Sequence, residues 1–345
     1  MELNSSVTIG GLIIGHDHRP FIIAEMACAH NGDLQQAIQL VDAAVEAGAD
    51  AVQLQFFKAD ETVTPNHPAF EVVKRIEFSE DKWKTVFQYA KSKNILVFVC
   101  TYDIPSVALA VQLGADGIKL NSADLSNPEV VMSVAKSGIP FTLGTGASTL
   151  EEIKSGLDCA TSSGAANIIL MHGVQNFPTR TEDLNINRIR LLKEHFNMPV
   201  GYHDHTDGED DFSRSVDLIA IGMGANVIEK HITLSRAEKG IDYQAALEPG
   251  EFKKFVQQIH RAWIAMGKKE IGPFSESDLK YRAFQKKSIV AAEDIQPGEK
   301  ILRASVKFIR NEVPGIPPSR FHEVENKTAK FLIRKFENIT NEKLE

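Results

Sequence analysis

From Phe21 to about Gly267 the chain repeats one unit eight times, a short apolar run followed by an amphipathic helical pattern. The apolar runs cover 21–25, 51–55, 96–101, 117–121, 140–144, 167–172, 199–203 and 226–231. Helical patterns lie over 34–47, 80–92, 104–113, 128–136, 149–162, 185–195 and 211–222, with a last one over 249–266. Eight alternating β/α units of about 30 residues predict an α/β chain built as a closed (β/α)₈ TIM barrel. An open doubly wound sheet usually has fewer strands and needs a topological switch point for its site.

Local signals agree with that reading. Ser79 before Glu80-Asp81, and Ser148-Thr149 before Glu151-Glu152, put small polar caps and early acids where a helix start favours them. Gly48, Gly114 and Gly224 each stand where a helix must stop before the next strand. The stretch 57–79 is long for a βα connection and carries Lys58, Asp60, His67, Lys74 and Arg75. At a barrel mouth it would be a lid or substrate-binding loop, or else a decorated surface loop. After Met266 the texture changes, and short strand-like runs with Pro-Gly turns recur from Ser288. The expected organisation is a barrel over 1–270, a linker over 271–287 and a small β-rich domain over 288–345.

A net charge of -8 argues against a nucleic-acid or anionic-membrane surface, although a few local cations can still hold an anionic small substrate. Cys28, Cys100 and Cys159 have no metal-like spacing and fit a reducing compartment. With no leader-like or membrane-spanning run, a cytoplasmic protein is expected.

Active sites of such barrels lie at the carboxyl ends of the strands. The runs ending in His205 and His231 would bring two imidazoles side by side at that mouth, a pairing that suits a divalent first-row metal. Glu25 ends the first apolar run, where a carboxylate needs water, a metal or substrate hydroxyls to meet it. His30-Asn31-Gly32 then turns the chain into the first helix, with Asn31 as the expected cap. Lys119 beside Ser122 offers a cation and a hydroxyl to an anion, and Gly144-Thr145-Gly146 precedes a helix start, where free N–H groups suit a phosphate.

In order along the chain stand Ile23-Ala-Glu25 with His30-Asn-Gly32, Gly48-Ala-Asp-Ala-Val-Gln-Leu-Gln55, Lys119-Leu-Asn-Ser122 and Gly144-Thr-Gly146. Met171-His172, Phe177-Pro-Thr179, Asp204-His-Thr206 and Glu229-Lys-His231 follow. This ordered set resembles the sialic acid synthase (N-acetylneuraminate synthase) family, which includes the legionaminic and pseudaminic acid synthases. The tail, with Pro297-Gly298 and Pro314-Gly-Ile-Pro317, resembles that family's SAF domain, which is similar to type III antifreeze protein.

The resemblance implies condensation of phosphoenolpyruvate with an open-chain amino sugar, assisted by manganese or magnesium, in a domain-swapped homodimer. It makes His205 and His231 the metal ligands and has Glu25 hold metal-bound water or substrate. Glu229 and Asp242 would bind the sugar, and Gln55 would line the pocket. Lys119, Ser122 and Thr145 would hold the phosphoenolpyruvate.

The chain departs from the family pattern at several of these positions. Gln53 stands where the family usually has a lysine that contacts phosphoenolpyruvate; Gly144 and His203 stand for serine, Gln175 for asparagine and Phe177 for tyrosine. Lys58, Lys230 or another cation of the long loop is a candidate to compensate for Gln53, and His203 to join the metal shell or a phosphate oxygen. The arginine expected beside a Pro-Gly turn of the SAF domain is displaced, leaving Arg310 and Arg320 nearest. Gln53 prompts an alternative, a metal-dependent aldolase or lyase on the same scaffold. Joint retention of Glu25, Lys119, His205, Glu229, His231 and Asp242 speaks against a third, a non-catalytic sugar-binding protein with a decayed site.

Overall fold

The computed structural model describes residues 4–345, which divide into two compact units, one ending at Gly267 and one running from Lys268 to Glu345. The first unit opens with an antiparallel hairpin of β1 (Ser6–Ile9) and β2 (Leu12–Gly15). Eight parallel strands follow: β3 (Phe21–Glu25), β4 (Ala51–Phe56), β5 (Leu96–Thr101), β6 (Gly117–Leu120), β7 (Phe141–Gly144), β8 (Ile168–His172), β9 (Val200–Asp204) and β10 (Val227–Ile232). Each pairs with the next, and β10 pairs with both β9 and β3, which closes the TIM barrel. A two-residue strand, β11 (Ala246–Leu247), extends β10 at its carboxyl end.

The helices are α1 (Leu34–Ala47), α2 (Ala59–Thr62), α3 (Phe70–Ile76), α4 (Glu80–Ser92), α5 (Ile104–Leu113) and α6 (Pro128–Ser137). They continue with α7 (Leu150–Ser162), α8 (Asn187–Phe196), α9 (Ser213–Gly222) and α10 (Pro249–Met266). Their buried stripes pack on outward strand residues such as Val52, Val97, Leu120 and Ile228. Ser79 and Thr149 cap α4 and α7, while Gly48 and Gly114 take the left-handed conformation that ends α1 and α5. Asn31 is not the cap of α1: it sits at φ 49 within the turn, and Asp33, whose carboxylate accepts from Gln36 N, fills that place.

Inward residues form layers along the barrel axis, as the strand period requires. Val7, Ile9 and Ile14 of the hairpin join Phe21, Ile23, Ala51, Phe98, Ile169, Met171 and Val227 in an apolar cluster over the amino-terminal half of the strands. Gly117 permits this layer, because a Cβ there would meet the Phe98 ring at 2.4 Å. Polar residues begin only above this floor.

The second unit contains α11 (Glu276–Gln285), so the segment expected as a linker carries a capped helix, its Ser275 hydroxyl accepting from Asp278 N. Strands β12 (Ser288–Ala291) and β13 (Val306–Ile309) pair antiparallel over a core that includes Ile289, Ile301, Val324, Ile333 and Ile339. Among the described residues no helix is long and apolar enough to cross a membrane.

Candidate active site at the carboxyl mouth of the barrel

Above the apolar floor, β3, β4, β6 and β10 point Glu25, Gln53, Lys119 and Glu229 at one another. The Lys119 ammonium lies 3.1 Å from Glu25 Oε2 and 2.5 Å from Glu229 Oε1. Gln53 Nε2 donates to Glu229 Oε2 at 3.2 Å and also contacts Glu25 Oε2. Both glutamates and Gln53 are fully buried, and Glu25 Oε1 accepts from Ala27 N at 2.7 Å. One cation thus faces two carboxylates. Burial, with Glu229 beside it, pushes the Glu25 carboxyl up to about 7 despite the opposing pull of Lys119. For Lys119 burial works the other way, but the two carboxylates outweigh it and keep the ammonium charged.

The next layer up holds the histidines. His205 immediately follows β9, and His231 lies one step beyond the Lys230–Asp204 register pair on neighbouring β10. Their ring centroids are 5.1 Å apart at 75°. Two imidazoles sharing one ion at metal–nitrogen distances of about 2 Å would place their centroids roughly 4.5–5.5 Å apart, so this spacing fits a shared cation. His205 Nδ1 donates to the Val174 carbonyl at 2.6 Å, a bond that leaves Nε2 with its lone pair. Burial holds His205 below the usual histidine range and His231 well below it, which keeps both rings neutral, the form that ligates. Among the described residues no group of three or more His, Cys, Asp or Glu could hold a metal ion, so the other coordination positions would fall to water or substrate. Phe177 covers the pair, with its centroid 4.3 Å from His205 and 5.6 Å from His231.

A cavity of about 380 Å³ opens over this layer. Of the residues expected in the site, Gln55, Lys119, Ser122, Gln175, Phe177, His205, His231 and Asp242 line it. Burial raises the Asp242 carboxyl to about 6, against the pull of Lys119. Glu25, Gln53 and Glu229 form the layer beneath instead of lining the cavity. His203 is also below, stacked 5.2 Å from His205 and accepting from Gln175 Nε2 at 3.3 Å. Gly173 makes room for that ring, because a Cβ at Gly173 would meet His203 at 1.5 Å.

Other expectations do not hold. Thr145 is outside the lining: its hydroxyl and its N–H both donate to the Met171 carbonyl, and Gly146 N donates to Ser122 Oγ at 2.9 Å. The Thr145 and Gly146 donors are therefore spent on the protein. Lys230 cannot replace a missing cation, because it alternates with Glu229 and His231 and points out of the barrel to Asp204 and Asp217. Lys58 and Lys74 of the long loop both pair with Glu77. Arg310 and Arg320 belong to the second unit, where Arg310 is exposed after β13 and Arg320 pairs with Glu323; their expected role concerns a partner subunit and stays a proposal.

Sequence reasoning missed Cys28, Phe57, Thr62, Val73, Ile76, Tyr102 and Asn121, all on the cavity wall. Position would have found Tyr102 and Asn121, since each stands at the carboxyl end of a barrel strand.

Fold and site together define a TIM-barrel protein whose carboxyl mouth joins a metal-capable histidine pair to a buried Lys–Glu layer. The chain belongs to the NeuB family, whose model matches residues 40–271, and residues 286–345 match the SAF domain. It is 34% identical over 322 residues to the N,N'-diacetyllegionaminic acid synthase of Legionella pneumophila, covering 88% of each chain. To the synthase of the same name from Campylobacter jejuni it is 33% identical, over 90% of this chain and 96% of that one. A crystal structure of the N-acetylneuraminic acid synthetase of Leptospira borgpetersenii superposes with TM-score 0.75 at 30% identity, covering 81% of this chain and 97% of the other.

Proposed function

We propose that the protein condenses phosphoenolpyruvate with an open-chain amino sugar, giving a nonulosonic α-keto acid and inorganic phosphate. The enol C3 forms a carbon–carbon bond to the sugar aldehyde carbon, whose oxygen takes up a proton. Water adds at C2, and the tetrahedral centre expels phosphate by breaking its C–O bond. Lys119 is the cation on the cavity wall, and with the Ser122 hydroxyl it faces the anionic donor. Asp242 and Gln55 accept from, or donate to, the sugar's hydroxyls and amide. Glu25, raised to about 7, can hold or release a proton at neutral pH directly beneath. A manganese or magnesium ion on His205 and His231 would supply Lewis-acid polarisation of the aldehyde oxygen. The reading includes action as a homodimer in the cytoplasm, as the resemblance implies.

The observation that carries this reading is the convergence, in one cavity, of a histidine pair at shared-ion spacing with Lys119 and Asp242. Membership of the NeuB family supports it. The test is a phosphate-release assay with phosphoenolpyruvate, manganese and N-acylated amino sugars. Release is expected only when donor, acceptor and metal are all present. Release without an acceptor, or none with any amino sugar, would contradict the proposal.

A further inference from the structure

Asp242 lines the cavity, yet no described group hydrogen-bonds its carboxylate. Its backbone sits at φ 60, in the left-handed region that a residue with a Cβ keeps only where its surroundings hold it. The 233–248 connection that carries Asp242 therefore sets where the carboxylate stands. That connection leaves β10 at Ile232 and returns to the same strand end. Thr233 N donates to the Leu247 carbonyl at 3.0 Å, and β11 runs in parallel register with β10, Ala246 beside His231.

Arg236 ties the two ends of this connection together. Its Nη1 donates to the Ala246 carbonyl at 3.2 Å, and its own N–H donates to Glu248 Oε1 at 3.0 Å. The guanidinium also takes both carboxylate oxygens of Glu251 in α10, Nη2 donating to Oε1 at 2.9 Å and Nη1 to Oε2. The side chain is 14% exposed, and such a planar two-point pair fixes direction as well as distance. Neighbours seat the rest of the connection. Gly208 N donates to the Gln244 carbonyl at 2.7 Å. Gly240 lies so near the Asn31 amide that a Cβ there would stand 2.9 Å from Asn31 Oδ1. Ile241 packs against the cluster of Cys28, Phe57 and Ile76.

We infer that Arg236 is a positioning residue: by closing the 233–248 connection it holds Asp242 where the acceptor meets it. Arg236 does not line the cavity and acts only through the backbone it fastens. The inference rests on the synthase reading above, in which Asp242 binds the sugar, and adds the group that orients Asp242. Misplacing a binding group by about 1 Å from outside the site costs up to roughly 100-fold in rate. Loss of the Arg236 contacts therefore weakens use of the acceptor, while the donor, facing Lys119 and Ser122, is held as before.

The experiment measures KM for the amino-sugar acceptor and for phosphoenolpyruvate, with manganese, in wild type, Arg236→Met and Arg236→Lys. Arg236→Met is expected to raise the acceptor KM by roughly tenfold or more and to leave the phosphoenolpyruvate KM within about twofold. Arg236→Lys keeps the charge without the planar fork and should recover part of the loss; it carries the same comparison should the methionine variant not fold. In an Asp242→Asn background the Arg236 change should add less than about twofold, because the carboxylate it orients is already gone. Neither KM depends on how much of a preparation is folded. An unchanged acceptor KM, equal rises in both KM values, or an undiminished effect in the Asp242→Asn background overturns the inference and leaves the synthase reading standing. Absence of wild-type turnover with any amino sugar overturns the synthase reading, and the inference falls with it.

Discussion

Strand β10 carries two buried ionic clusters of the same composition on its opposite faces. Inward, Glu229 joins Glu25 around Lys119; outward, Lys230 sits between Asp204 and Asp217, against α9. Each has one ammonium for two carboxylates, and in each burial raises one carboxyl: Glu25 to about 7 and Asp217 to about 8. Their surroundings differ. The outward cluster is sealed, and Asp204 also accepts from the Tyr202 and Thr206 hydroxyls. The inward cluster borders the cavity through Lys119 and lies beneath the histidines. Behind the strands, Lys230 joins Asp204 at the end of β9 to Asp217 of α9, away from the cavity. In front, Lys119 lines the cavity, within reach of a ligand. Charge composition alone therefore does not mark an active site; the face of the strand does.

Neutralising the inward carboxylate should separate activity from stability most strongly. Glu25→Gln is expected to lower turnover on the order of 10²–10³-fold, as loss of a proton-exchanging group does. Its melting temperature should stay level or rise, because one buried ammonium then faces one carboxylate instead of two. Steady-state phosphate release and calorimetry on one preparation check both halves. Lys230→Met should do the opposite, costing about 3–5 kcal/mol in denaturant unfolding because it strands the buried Asp204 carboxylate without its cation. Turnover per folded molecule should stay close to wild type, and a folded but inactive Lys230→Met would break the comparison.

A further effect concerns pH. Asp217 rises from its ordinary 3.8 to about 8, so between those values the folded state holds a proton that the unfolded chain has lost. Stability from this group therefore falls as pH climbs through that window. Asp217→Asn removes the slope, and its unfolding free energy relative to wild type should grow from about pH 4 to about pH 8. A difference that stays flat with pH would show that Asp217 is ionised in the fold.

The barrel was legible because strand and helix periods differ and repeat. The helices Leu34–Ala47, Glu80–Ser92, Ile104–Leu113 and Pro249–Met266 fall where the pattern puts them. The hairpin at Ser6–Gly15 and the helices Ala59–Thr62 and Phe70–Ile76 are too short for periodicity to register. His205, His231, Lys119 and Asp242 were readable from strand ends and motif resemblance. The outward aim of Lys230 was also readable, since parity with His231 forbids it the cavity. The donors of Gly144-Thr145-Gly146 were not, because only the fold brings Ser122 and Met171 up to take them. The apolar cavity wall was hidden for the same reason: Cys28, Phe57, Val73 and Tyr102 come from three separate connections.

The proposed shared ion is tested most directly by titrating manganese into the metal-free protein and following heat or paramagnetic signal, independently of turnover. One ion per chain is expected, with His205→Ala and His231→Ala each weakening affinity by at least about 100-fold while circular dichroism stays unchanged. Wild-type affinity in either variant would contradict the account.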